Sequence, residues 1–106
     1  MAELHYPVPP PKVALPNNVT DTLVERGNRY GNFVDHAEVT QRLKNVIASE
    51  LGRRGKSLAA DQQEALDMIC HKIGRIVNGD PNYSDSWHDI AGYAQLVDKR
   101  LQGTVL

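Results

Sequence analysis
Gln63-Glu64-Ala65-Leu66-Asp67-Met68-Ile69-Cys70-His71-Lys72-Ile73-Gly74-Arg75-Ile76-Val77, the turn Asn78-Gly79-Asp80-Pro81-Asn82, and Ser84-Asp85-Ser86-Trp87-His88-Asp89-Ile90-Ala91-Gly92-Tyr93-Ala94 together decide the fold of this 106-residue chain. The stretch predicts two helices joined by a short turn. At about 100° per residue, Leu66, Ile69, Cys70, Ile73, Ile76 and Val77 share an arc of about 120° and form an apolar stripe. Glu64, Asp67, His71, Arg75 and Asn78 fall on the other side. Asp67, His71 and Arg75 are spaced four apart, so acid, imidazole and cation stack along one line of the helix. Asp61 with Glu64 predicts a capping-box start. Gly79 predicts the residue just past the helix end, and Pro81 bars continuation.

The second helix carries the stripe Trp87, Ile90, Ala91, Ala94, Val97 and Leu101, and its other face holds Asp85, His88, Asp89 and Gly92. Ser84 or Asp85 is the expected cap. A turn this short predicts antiparallel packing. Asp85 and Asp89 then come within reach of His71, Lys72 and Arg75.

Working outward, Val39, Leu43, Val46, Ile47 and Leu51 predict a helix from about Asp35 to Leu51 with Asp35 as cap. Upstream, Asn18 or Thr20 caps a short first helix, Asp21 to about Arg29. Glu25-Arg26-Gly27-Asn28-Arg29-Tyr30-Gly31-Asn32-Phe33 breaks the periodicity and predicts a bend. Its two arginines and two aromatics offer donor-rich planes for phosphate and a stacking surface for a base; the plainer reading is a turn whose aromatics plug the core. Tyr6-Pro7-Val8-Pro9-Pro10-Pro11-Lys12 lies in an extended, polyproline-like arm over residues 1–18, ahead of a helical domain over 19–106. The expected fold is therefore all-α: a small helical bundle of three main helices plus a short first helix, with a Pro-rich N-terminal arm.

Composition narrows the classes. Hydrophobic residues make up 41% and the formal net charge is −1, from 12 basic and 13 acidic residues. That is a folding composition without a global basic surface, so neither nucleic acid nor an anionic membrane is expected as partner. Cys70 is the sole cysteine, which rules out an internal disulfide and reads as a small buried hydrophobe. With no apolar run long enough to span a bilayer and no leader pattern, the expected location is the cytoplasm.

Carboxylates on neighbouring helices are a helical protein's means of holding Mg²⁺. Glu64, Asp67 and Asp89 are the candidate metal ligands, and Glu64, Asp67 and His71 the candidate catalytic groups, with His71 as proton carrier. Arg29, Tyr30, Lys72, Arg75, Asp85 and Asp89 are the candidate ligand-binding residues. The plainer reading is an ion-paired network of Asp67, His71, Arg75 and Asp89 on a surface or at a dimer interface. His36 and His5 find no partner in the pattern.

Arg29-Tyr30-Gly31, Lys72-Ile73-Gly74-Arg75, Asp85 and Asp89-Ile90-Ala91-Gly92-Tyr93-Ala94 together resemble a family of small phage and prophage helical domains of unknown function, over roughly residues 20–100. More distantly, the layout is similar to the MazG-type all-α nucleotide pyrophosphohydrolases. That resemblance implies Mg²⁺ held by helical carboxylates and hydrolysis of nucleoside triphosphates to monophosphates. Glu64-x-x-Asp67 stands for the first motif of that family, whereas Ser86 occupies the glutamate position before Asp89 in the second. The expected function is thus a phage accessory protein that binds a nucleotide or phosphorylated ligand, with weak Mg²⁺-dependent hydrolysis. The alternative is a non-catalytic module that binds and inhibits a host protein. A chain with so thin a core is expected to be a homo-oligomer, most simply a dimer that completes a four-helix core.

Overall fold
The computed structural model describes residues 17–106; the expected Pro-rich arm falls almost entirely outside them. Four helices run through the described residues: α1 Asn17–Tyr30, α2 Phe33–Arg53, α3 Ala60–Asn78 and α4 Ser84–Leu101. No strand occurs among them. The all-α expectation holds, and the differences lie in caps and packing.

α1 is longer than expected. Gly27 and Asn28 do not end it; Gly31 does, at φ +78°, a left-handed conformation that only glycine adopts freely. Asn32, not Asp35, caps α2: its Oδ1 accepts the Asp35 N–H at 2.9 Å. At the start of α3 the Gln62 side chain accepts the Ala59 N–H at 2.9 Å. That leaves Asp61 for a different partner. It takes a forked pair of hydrogen bonds from Arg100, 2.7 Å from Nε and 2.5 Å from Nη2, which ties the start of α3 to the end of α4. Tyr83 takes the cap position of α4, and neither Ser84 nor Asp85 caps it.

α3 is the central element. α2 packs on one flank of it and α4 on another, and the α2 and α4 backbones do not approach each other. The contact lines are made of small groups. Ala65, Cys70 and Gly74 of α3, His36 and Thr40 of α2, and Ser86 of α4 are the buried helical residues. A Cβ at Gly74 would press on the Thr40 hydroxyl and the His36 ring, so glycine here lets α2 approach.

This corrects the expectation that the aliphatic stripes form the interior. Helices that approach along their small residues push the large ones to the edges of the contact. Leu66, Ile69, Ile73 and Ile76 are only half-buried, Val77 is 66% exposed and Trp87 56% exposed. Among the described residues no large side chain is fully buried, and the buried apolar ones are Ala65 and Cys70. The Trp87 indole N–H donates to the Pro81 carbonyl at 2.9 Å, which fixes the ring over the turn. Among the described residues no helix is long and apolar enough to cross a membrane.

Candidate functional site
The break between α1 and α2 sits against the C-terminal half of α3, and a clasp holds it there. Asn78 Nδ2 donates to the Tyr30 carbonyl at 2.9 Å and the Asn32 carbonyl at 3.0 Å. The Asp80 N–H donates to the Arg29 carbonyl at 2.7 Å. Gly79 is where the backbones meet, since a Cβ there would run into the Arg29 carbonyl and the Tyr30 main chain. Gly79 does follow the last residue of α3, as its position predicts. Its φ of −125° is not left-handed, so close approach, not helix termination, is what requires glycine.

The clasp leaves a cleft of about 610 Å³ between α1, α2 and α3, lined among others by Arg26, Tyr30, Phe33, His36, His71 and Arg75. The Arg75 guanidinium carbon lies 4.1 Å from the centre of the Tyr30 ring, a cation–π stack. Among the described residues no carboxylate pairs with Arg75 at salt-bridge distance. The cation therefore faces the cleft with an aromatic plane behind it.

At the floor, His36 Nε2 and His71 Nδ1 stand 3.2 Å apart with ring planes at 82°. The Thr40 hydroxyl lies 3.5 Å from the same His36 nitrogen. His36 Nδ1 is buried without a hydrogen-bond partner. A buried lone pair is cheaper to strand than a buried N–H. That favours His36 Nε2–H donating to His71 Nδ1, which leaves the His71 proton on Nε2. Burial pushes the His36 imidazole below its ordinary pKa, and Arg75 pushes the same way. Burial also depresses His71, to about 4, with Arg75, His36, Lys72 and Lys44 adding to the shift in that order. Both rings are neutral at pH 7. His71 is thus a neutral donor and acceptor there, not the near-neutral proton carrier expected from its unperturbed pKa.

The other expected residues are distributed around this cleft rather than inside it. Arg29 turns away: its guanidinium carbon sits 4.3 Å from the centre of the Tyr83 ring. Its Nη1 donates to the Tyr83 hydroxyl at 3.1 Å and its Nη2 to Glu25 at 2.8 Å. The Tyr83 hydroxyl in turn donates to Asp85 at 2.8 Å, so Asp85 ends an outer relay. Lys72 pairs with Asp89 at 2.9 Å, and that bond holds the Asp89 carboxyl below the usual carboxylate range. Lys72 is only 12% exposed, so this pair binds α4 to α3.

Asp67 accepts the Gln63 amide at 3.0 Å, and Glu64 is exposed beside a second, smaller hollow toward the far end of α3. The acid–imidazole–cation line along α3 thus does not close into a network, because its three members turn to three different neighbours. Among the described residues no three of His, Cys, Asp and Glu stand together in a way that could hold a metal ion. Glu64, Asp67 and Asp89 are not gathered into one donor set, and Asp89 already carries a cation.

Sequence reasoning found Tyr30, His71 and Arg75 of the cleft and missed His36. The available signal was spatial: Gly74 within Lys72-Ile73-Gly74-Arg75 opens a space on α3 that only a side chain of α2 could fill.

A family model described as "Domain of unknown function (DUF6378)" matches residues 17–101, a span that runs from the first residue of α1 to the last of α4. No curated protein and no solved structure matches the chain.

Proposed function
The chain belongs to the DUF6378 family, a domain of unknown function, and we propose that its cleft binds a small phosphorylated ligand, a nucleotide above all. The carrying observation is the field around His71. Arg75, the cation that adds most to the depression of this imidazole, lines the cleft and favours an anion there. Arg75 stacked on Tyr30 supplies a phosphate-binding fork with an aromatic plane. Arg26 and Phe33 on the cleft wall extend both features. A volume of about 610 Å³ lies within the range of small-molecule sites.

The proposal is one of binding. The carboxylates that the MazG resemblance would assign to Mg²⁺ are dispersed, so no hydrolytic step is derived through the metal. A phage accessory role is the setting that the sequence resemblance implies. A second reading, a non-catalytic module that inhibits a host protein, is favoured by one observation. Leu23, Val24, Phe33 and Val34 are exposed around the cleft and along α1 and the start of α2, and an apolar rim suits a protein ligand.

The test is thermal unfolding of the full chain against inorganic phosphate and a panel of nucleoside mono-, di- and triphosphates. A ligand at about 100 times its Kd stabilises the folded state by about 2.7 kcal/mol. Arg75→Ala is expected to weaken binding about tenfold to a hundredfold, the loss of a charge-assisted hydrogen bond of about 1.5–3 kcal/mol. A flat response of the unaltered protein to every phosphate compound at millimolar concentration overturns the reading.

A further inference from the structure
The cleft between α1, α2 and α3 is lined by two arginines and by no carboxylate. Arg26 stands one turn before Tyr30 on α1, and Arg75 of α3 is stacked on the Tyr30 ring, so the two cations flank the cleft from different helices. Among the described residues no carboxylate lies at salt-bridge distance from either. His71 stands one turn before Arg75 on α3. Its Nδ1 faces His36 Nε2 at 3.2 Å. Its Nε2 makes no hydrogen bond among the described residues, yet is not one of the buried polar atoms left without a partner. That nitrogen therefore reaches solvent, and in the tautomer that His36 favours it carries a proton to donate. Phe33, the first residue of α2, lines the same cleft at 76% exposure, with its ring centre 6.2 Å from that of His36. Burial in a core does not account for a ring this open.

We propose that the cleft takes a nucleoside monophosphate without a metal ion, its phosphate held between Arg26 and Arg75 and its base laid on Phe33. This ligand is a narrower form of the phosphate-binding reading and rests on it: one phosphate, and no Mg²⁺. Charge decides the number of phosphates. A phosphate monoester carries about −1.5 to −2 at pH 7, which two arginines match. The His36–His71 pair adds no charge, since both rings are neutral there; it adds the Nε2–H of His71 as a neutral donor. Each further phosphate brings negative charge that no other lining residue answers. Donor chemistry decides against the metal. Mg²⁺ that accompanies substrate phosphates is ordinarily held by one or two protein carboxylates as well. None lines this cleft, and Asp67 and Asp89 of the neighbouring helix faces are engaged by Gln63 and Lys72. Stacking decides for a nucleoside. A base lays its π-face on an aromatic ring without needing further hydrogen bonds, whereas inorganic phosphate would leave Phe33 unused.

The experiment is isothermal titration calorimetry of the full chain. The probes are AMP, GMP, CMP and UMP, the triphosphates of the same nucleosides, the nucleosides themselves and inorganic phosphate, each in EDTA and again in Mg²⁺. At least one monophosphate is expected to bind with the same Kd in both buffers. It should bind about tenfold or more tightly than its nucleoside or inorganic phosphate, and no more weakly than its triphosphate. Arg26→Ala is expected to weaken the monophosphate and inorganic phosphate alike, by about tenfold or more. Phe33→Ala should weaken the monophosphate by about tenfold and leave inorganic phosphate unchanged. Both residues are exposed, so neither change removes a buried contact. A triphosphate that binds more tightly than every monophosphate, or only with Mg²⁺, overturns the inference and leaves the phosphate-binding reading standing. So does a monophosphate whose Kd neither variant alters. Silence from every phosphate compound at millimolar concentration removes both.

Discussion
Gly79→Ala is expected to lower the unfolding midpoint by about 10–20 °C, from a loss of about 2–3 kcal/mol at about 4–8 °C per kcal/mol for a domain of this size. The added methyl would meet the Arg29 carbonyl and the Tyr30 main chain. Backbone on both sides cannot rotate out of the way as a side-chain tip can. α1 must therefore shift, and the shift breaks the hydrogen bond from the Asp80 N–H to the Arg29 carbonyl and those from Asn78 to the Tyr30 and Asn32 carbonyls. Gly92 provides the contrast. It lies inside α4, and a Cβ there would meet nothing within 4 Å. Gly92→Ala should stabilise by about 0.5–1 kcal/mol through helix propensity. Differential scanning calorimetry of the two variants checks both, and equal midpoints would contradict the clasp. Because the clasp also shapes the cleft, Gly79→Ala should lose ligand response even below its melting transition.

Stability is expected to fall by about 2 kcal/mol between pH 7 and pH 4.5, with His71 as the main cause. Its folded pKa of about 4 lies below the ordinary 6.5. In that window the unfolded chain binds a proton that the folded chain refuses, so stability rises with pH and the gain is complete above about 6.5. The full shift corresponds to about 3 kcal/mol, and the partial exposure of the ring reduces it. His36 is lowered as well and acts with the same sign. Carboxylates held low by cations, such as Glu50 and Asp61, lose their contribution only at more acid pH, which keeps the two effects apart. Urea unfolding across this range, with His71→Leu beside the unaltered protein, makes the measurement. The variant should lose most of the slope between pH 6.5 and 4.5. An unchanged slope would mean that His71 is not held neutral.

The helices were legible because their signals are local. The stripes, Pro81 and the polar turn at residues 78–82 place α3 and α4 to within a few residues. What local signals could not convey was which residues lie at the helix contacts. The periodicity of Leu66, Ile69 and Ile73 marks an apolar side of α3, but Gly74 and Ala65 decide how closely α2 and α4 approach. That depends on residues elsewhere in the chain, Thr40, His36 and Ser86 among them. The site followed the same pattern. Arg75 and Tyr30 were found as residue types suited to phosphate and stacking, and their contact came with the fold. The carboxylates were found too, but spacing along one helix does not say whether a cation from the next one has already claimed them, as Lys72 claims Asp89.

His71 and Lys72 are neighbours in the chain and about 100° apart around the axis of α3. One contacts α2 through His36, and the other holds α4 through Asp89. α3 is thus a shaft with a tooth engaged on either flank. It cannot roll to draw the imidazoles closer without dragging the Lys72 ammonium across the Asp89 carboxylate. A rotation of α3 about its axis would therefore strain both contacts at once, although they lie on separate flanks.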